Sequence, residues 1–387
     1  MADMGGIIKA LYPKYLELLK ELVEQESKTE DKEALDRVAD IIESFSKKEG
    51  YSVERIPFKK AGDCLLITLN PYAILPHILF TGHMDTVHPR GSFGEKPFTV
   101  AGDRAMGPGI TDMKGGIVIA LMVMEALKKA GYDKRPVKLF LISDEELSEG
   151  LTGDEGRSLI IKNAEGAAAA FTMEGDTEDS VVIGRKGSIR YRVEVTGKAA
   201  HAGKEYGKGI SAIKEACLKI LEIEKESDPD NITYNCGIIE GGTSVNVVPE
   251  KCVFHLYNRY WKIKDLEYLR ERVERIINTS FIPGTKAAFQ VIGTRPPMEP
   301  TEANRKLFDH INKVSGKIGM GKRRQAMEAC GSDAAYTVLG GAPSVCNMGI
   351  RGGKIHSTEE YAYPLSMMEK GELITYAILE MDDEGIA

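Results

Sequence analysis

Ile78-Leu79-Phe80-Thr81-Gly82-His83-Met84-Asp85-Thr86-Val87 is the stretch on which the fold turns. The apolar run 78–80 predicts a buried strand. Residues two apart on a strand project to the same side, so His83 and Asp85 share one. There an imidazole can bind a metal while a carboxylate fixes its ring from behind. Open α/β sheets place site residues just past the C-terminal ends of their strands, where this His-x-Asp sits. An isolated His-x-Asp also suits a plain polar turn, and later segments decide between the two.

Asp112 follows in Gly107-Pro108-Gly109-Ile110-Thr111-Asp112-Met113-Lys114-Gly115-Gly116, ahead of a helical period over 117–127. An Asp before a helix is usually its N-cap. Four glycines in so short a loop point instead to close backbone approach or unusual dihedrals. Residues 137–142 read as a buried strand ending in Ser143-Asp144-Glu145-Glu146. Consecutive residues point in different directions, so one glutamate can bind a metal while its neighbour faces substrate. A further strand, 167–173, delivers Glu174, and a glycine-rich loop 349–357 carries His356. Each signal is weak alone. Together His83, Asp85, Asp112, Glu145, Glu146, Glu174 and His356 form an ordered set.

With these segments the chain resembles the metallopeptidase family that holds glutamate carboxypeptidase, acetylornithine deacetylase, succinyl-diaminopimelate desuccinylase and aminoacylase. The resemblance runs from the first helix to the His356-Ser357 loop. It favours the glutamate carboxypeptidase branch through Gly197-Lys198-Ala199-Ala200-His201-Ala202-Gly203, Gly241-Gly242-Thr243-Ser244-Val245-Asn246-Val247-Val248-Pro249 and Ser332-Asp333-Ala334-Ala335-Tyr336. It implies two zinc ions per chain, with Asp112 bridging them. His83 and Glu174 would complete one ion, Glu146 and His356 the other. Asp85 would orient His83, Glu145 would be the general base, and the Asp112-Met113 peptide bond is expected to be cis. Histidines with carboxylates suit zinc, and the same ligands accept cobalt or manganese.

Composition frames the reading. At 387 residues the chain suits two domains with ample core. A hydrophobic content of 42% with 28% charged residues is that of a soluble globular protein. The net charge of −7 argues against a nucleic-acid partner, and no apolar run is long enough to span a membrane. The start, Met1-Ala2-Asp3-Met4-Gly5-Gly6, lacks the blocks of a signal peptide. Six scattered cysteines without CxxC pairing read as reduced thiols, so a cytoplasmic location is expected.

Residues 11–26 and 32–48 read as amphipathic helices. Strand and helix then alternate to about residue 184, which predicts an α/β catalytic domain with a mostly parallel sheet. The rhythm changes next: strand 188–197, helix 209–226, strands 231–240 and 245–260, helix 263–279, strand 286–293. That β-α-β-β-α-β order predicts an inserted ferredoxin-like α+β unit. Pro296-Pro297-Met298-Glu299-Pro300 reads as the return connector. The expected domains are 1–185 and 297–387 for catalysis, with 186–296 as a lid and dimerisation domain.

The resemblance also places substrate recognition in the inserted unit. In dimeric members the histidine matching His201 reaches the partner subunit's site and stabilises an oxyanion, with Asn246 beside it. A homodimer is therefore expected. Arg259, in Leu256-Tyr257-Asn258-Arg259-Tyr260, matches an arginine that binds the substrate carboxylate, a task suited to a planar guanidinium. Asn258 departs from the usual Asp, which would leave that arginine freer or differently aimed. Arg295 is a second candidate carboxylate reader, or a solvated hinge charge. Gly352 and Gly353 would offer backbone N–H groups. Glutamate at position 174 tends in this family to accompany deacylases and carboxypeptidases. The substrate expected is a small peptide or N-acyl amino acid cleaved before its C-terminal residue, glutamate included. An N-acyl-amino-acid deacylase or di/tripeptidase is the alternative. A non-hydrolytic metal-binding homologue would have lost Glu145 or a ligand, and every position is intact.

Overall fold

Ile78–His83 is a strand buried along its whole length, and it lies inside a six-stranded sheet. The computed structural model describes residues 3–147 and 150–386. The sheet order is Ser52–Ile56, Cys64–Leu69, Val137–Ile142, Ile78–His83, Ala169–Thr172, Ser344–Val345. Ile78–His83 runs parallel to both of its neighbours, and Ser344–Val345 runs parallel to Ala169–Thr172. The two strands at the other edge pair antiparallel. A strand covered on both faces needs a continuous apolar run, which Ile78-Leu79-Phe80 supplies.

Helices cover this sheet. Gly115–Lys129 is buried at every position from Gly115 to Leu127, as its sequence, apolar apart from Glu125, requires. It packs against Met4–Glu24 and Ser366–Leu379. Lys32–Lys48 buries Leu35, Val38 and Ile42 at helical spacing and starts where Asp31 caps Ala34 N–H. No helix among the described residues is long and apolar enough to cross a membrane.

The chain divides into two compact units. The first holds the chain up to Gly184, Pro300–Met327 and the chain from Ser332 onward; the second holds Arg185–Glu299 with Glu328–Gly331. In the second, four antiparallel strands lie in the order Thr233–Gly241, Lys251–Tyr260, Gly187–Thr196, Lys286–Arg295. Ala212–Glu224 and Ile263–Asn278 cover the face that carries Ile189, Tyr191, Val193, Phe254 and Leu256. This is the ferredoxin-like arrangement.

Three details differ from the sequence reading. The strand expected over 245–260 breaks at Pro249, which has no N–H for the ladder. Val247–Val248 pairs with Ala200–His201 instead. The return to the first unit falls after Glu299, because Arg185 N–H binds Met298 O at 2.9 Å and holds that segment in the second unit. Glu328–Gly331 also joins the second unit, through Lys186 N–H on Glu328 O at 3.0 Å and the Arg185–Glu328 ion pair at 3.0 Å.

Candidate metal centre

The register of the parallel strands gathers the site. His83 pairs with Ile142, and Thr81 with Thr172. The residues that follow, Glu145, Glu146 and Glu174, therefore emerge at the same end of the sheet as His83. Asp112 arrives by a different route. Gly109 adopts φ +69°, the Asp112-Met113 peptide is cis, and regular helix begins only at Gly115. Asp112 is thus no N-cap. Close approach accounts for Gly116: a Cβ there would lie 1.8 Å from Met173 O, beside Glu174.

Asp112 stands between two imidazoles. Its Oδ1 is 3.2 Å from His83 Nε2, and its Oδ2 is 3.1 Å from His356 Nε2. His83 Nε2 also lies 3.8 Å from Glu174 Oε2, and His356 Nε2 lies 3.1 Å from Glu146 Oε2. His83, Asp112 and Glu174 form one group whose ligand atoms lie within 4.8 Å of one another. Asp112, Glu146 and His356 form a second.

The charges of this cluster are tightly interdependent. Burial pushes the Glu146 carboxyl up to about 8 and Glu174 up to about 6, against the pull of the histidines. The charges of Asp112 and Glu145 raise both further. Burial works against Asp112 too, yet His356 and His83 hold it well below the usual carboxylate range. His356 is raised to about 10 by its bonds to Asp112 and Glu146. Burial opposes a charged His83, but Asp112, Asp85 and Glu174 outweigh it and raise its pKa well above normal. Glu174 is buried and Asp112 and Glu146 are half-buried; these three acids around two imidazoles, in two groups sharing one carboxylate, fit divalent cations that prefer nitrogen and oxygen ligands.

The sequence profile of peptidase family M20/M25/M40 matches residues 79–381. The chain belongs to this family. Carboxypeptidase G2 of Pseudomonas sp. (strain RS-16) is 29% identical over 383 residues, covering 96% of this chain and 89% of that protein. Two solved structures share the fold. Aminopeptidase PepT from Bacillus cereus gives a TM-score of 0.78 at 20% identity and covers 97% of this chain and 98% of that one. The M20 family metallo-carboxypeptidase Sso-CP2 from Sulfolobus solfataricus gives 0.71 at 18%, covering 94% and 99%. As an M20 protein the chain is a hydrolase of a metal-dependent peptidase family.

Around this M20 centre, Asp85 is fully buried and ties four groups together. Its Oδ1 accepts Glu145 N–H at 3.1 Å and lies 3.3 Å from His83 Nδ1. Its Oδ2 accepts Glu146 N–H at 3.1 Å and the Thr29 hydroxyl at 2.8 Å. Sequence reasoning missed Thr29, and it missed His88, Lys114 and Glu360. Lys114 is fully buried and donates to Gln25 O at 3.0 Å. Burial lowers it to about 7, against the pull of Glu360, Glu26 and Asp85. A local signal existed for two of the others: His88 lies three residues beyond Asp85, and Glu360 four beyond His356.

His201, Asn246, Arg259 and Arg295 all lie in the second unit. His201 pairs with Val247, and Ala202 N–H binds Asn246 O at 2.9 Å, so His201 and Asn246 are neighbours. Arg259 and Arg295 both face Ser188, one from each flanking strand. Burial foremost, and also the charges of Arg295 and Arg190, hold the Arg259 guanidinium below its usual pKa.

Two expectations need correction. Gly352 N–H is already committed to Asp176 O at 3.1 Å, and Gly352 and Gly353 pair with Ala362 and Tyr361 as a short strand. Gly352 therefore has no amide to offer a substrate. Asn258 is fully buried and faces the core, whereas Arg259 projects to the other face of the sheet. The missing carboxylate at position 258 does not alter how Arg259 is aimed.

Proposed function

We propose that this chain is a dinuclear zinc hydrolase of carboxypeptidase type. It cleaves the amide before a C-terminal amino acid, with glutamate preferred. The observation that carries the reading is Asp112, whose two oxygens face two imidazoles in two separate ligand groups. His83, Asp112 and Glu174 would hold one ion, and Asp112, Glu146 and His356 the other. Such ions supply Lewis acidity, which polarises the scissile carbonyl and makes water a better nucleophile at neutral pH.

The chain's own groups do the rest. Glu145 belongs to neither ligand group, and its backbone is fixed by Asp85. Its carboxylate takes the proton of the attacking water and delivers it to the leaving amine. His201 Nδ1 accepts the N–H groups of Gly203 at 3.1 Å and Lys204 at 3.2 Å. Its proton therefore sits on Nε2, and the ring is a donor suited to an oxyanion. Arg259, with Arg295 on the same row of strands, supports a substrate that carries carboxylates.

The test is hydrolysis of paired substrates, each with a free or an esterified C-terminus: N-acyl amino acids, dipeptides ending in glutamate, and tripeptides with a free amino group. Turnover that requires the free carboxylate supports the reading. Activity confined to substrates with a free amino terminus sinks it in favour of a di- or tripeptidase. In Arg259→Lys the KM for free-carboxylate substrates should rise about tenfold or more, because lysine loses the two-pronged bond. An equal rise for the esters would remove Arg259 from carboxylate recognition.

A homodimer through the second unit belongs to the same reading. Thr233–Gly241 is an edge strand that exposes Ile238 and Ile239, and the adjacent helix exposes Leu221. Open apolar edges of this kind invite pairing with a second copy. Light scattering on the eluting protein should give twice the chain mass, and Ile239→Lys with Leu221→Glu should give the chain mass. A wild-type monomer would refute the assignment.

A further inference from the structure

Glu360 is fully buried, and the proposed ligand roles leave it without a task. Its carboxylate accepts four hydrogen bonds. Oε1 takes Thr111 N–H at 2.8 Å and Asp112 N–H at 3.1 Å, and Oε2 takes Gly109 N–H at 3.2 Å. The fourth comes from His88 Nε2, 2.7 Å from Oε2. A carboxylate only accepts, so the His88 proton is on Nε2. Gly109, at φ +69°, turns the backbone so that three amides converge on one anion. A Cβ at that position would also lie 2.4 Å from Thr86 Cγ2.

The connectivity gives this arrangement its meaning. His83 and His88 lie on one segment, and His356 and Glu360 on another, while Asp112 lies between them in space. The two histidines at positions 83 and 356 reach Asp112 through its side-chain oxygens. Glu360 reaches the same residue through its backbone N–H, and His88 in turn holds Glu360. The segment of His356 and Glu360 thus grips Asp112 twice, and the segment of His83 and His88 grips it once directly and once through Glu360.

We propose that Glu360, oriented by His88, is the positioning residue for the shared metal ligand. It fixes the Gly109–Asp112 backbone so that both Asp112 oxygens are aimed before any ion arrives. This rests on the reading that the Asp112 cluster holds metal. Partners one step behind the ligands are commonly worth about 10- to 100-fold in metal affinity. Glu360→Gln keeps the shape but turns one acceptor into a donor, which then faces amide or imidazole protons.

The readout is the affinity of the metal-stripped full chain for Zn(II) alone, by competition with a chromophoric chelator and without substrate. The visible absorption of the Co(II)-loaded chain is recorded beside it. Glu360→Gln should bind Zn(II) about 10- to 100-fold more weakly and should change the Co(II) spectrum. His88→Ala should show a smaller loss in the same direction, and His88→Gln, which restores an N–H donor, should recover most of it. Wild-type affinity and spectrum in folded Glu360→Gln would overturn the proposal. If Glu360→Gln does not fold, the His88 pair decides: recovery by Gln supports it, and equal behaviour of Ala and Gln refutes it. A wild-type chain that binds no Zn(II) would instead overturn the metal reading on which the proposal rests.

Discussion

Glu145→Gln is expected to lower kcat by about 10²- to 10⁴-fold, the usual worth of a positioned general base, while metal content and fold stay at wild-type values. Glu145 lies outside both ligand groups, and its neighbour Glu146 lies within one. Asp85 holds both backbone amides, one on each oxygen, so changing the Glu145 side chain leaves Glu146 anchored. Glutamine keeps the volume and loses only the ability to take a proton. Steady-state kinetics with metal analysis on the same preparation checks this. Loss of one metal equivalent would make Glu145 a ligand, and unchanged turnover would remove it from proton transfer.

The cluster was legible in the sequence because its side chains hang on local signals. His83, Glu145, Glu146 and Glu174 each follow an apolar run, and a parallel sheet brings such strand ends together whatever the order of its strands. Asp112 was legible through its glycines. Of these, Gly109 takes a left-handed backbone, and Gly116 lets the helix pass against Met173. The ferredoxin-like unit was legible because its strands alternate buried and open residues, as Lys251–Tyr260 does from Cys252 to Tyr260.

What escaped depends on contacts far apart in sequence. Glu360 meets Asp112 across 248 residues and His88 across 272, and in the sequence only their nearness to His356 and Asp85 marks them. Gly352 looked open from its sequence alone; the carbonyl that takes its amide belongs to Asp176, far away in the chain. Asn258 was misjudged for another reason. Adjacency in sequence suggested adjacency to Arg259, but neighbours on a strand face opposite ways.

Asp112→Ala should release both metal ions, whereas His356→Ala should release only one. In His356→Ala the group of His83, Asp112 and Glu174 survives whole. In Asp112→Ala each group keeps only two protein ligands: His83 with Glu174, and Glu146 with His356. Three protein ligands are the usual minimum for a catalytic zinc, so neither remnant should hold its ion tightly. Turnover of Asp112→Ala should fall by about 10³-fold or more, a barrier increase of about 4 kcal/mol, in line with the several kcal/mol that Lewis-acid stabilisation is worth. The substitution spares the backbone N–H that Glu360 holds, so the loop keeps its anchor, and circular dichroism should show a native fold. Metal stoichiometry after dialysis, measured for both variants, separates the cases. One ion retained by Asp112→Ala would mean that Asp112 serves a single ion and that the two groups are independent. Two ions lost from His356→Ala would mean that the second ion is needed to hold the first, and the coupling would then lie between the ions themselves as well as in the carboxylate they share.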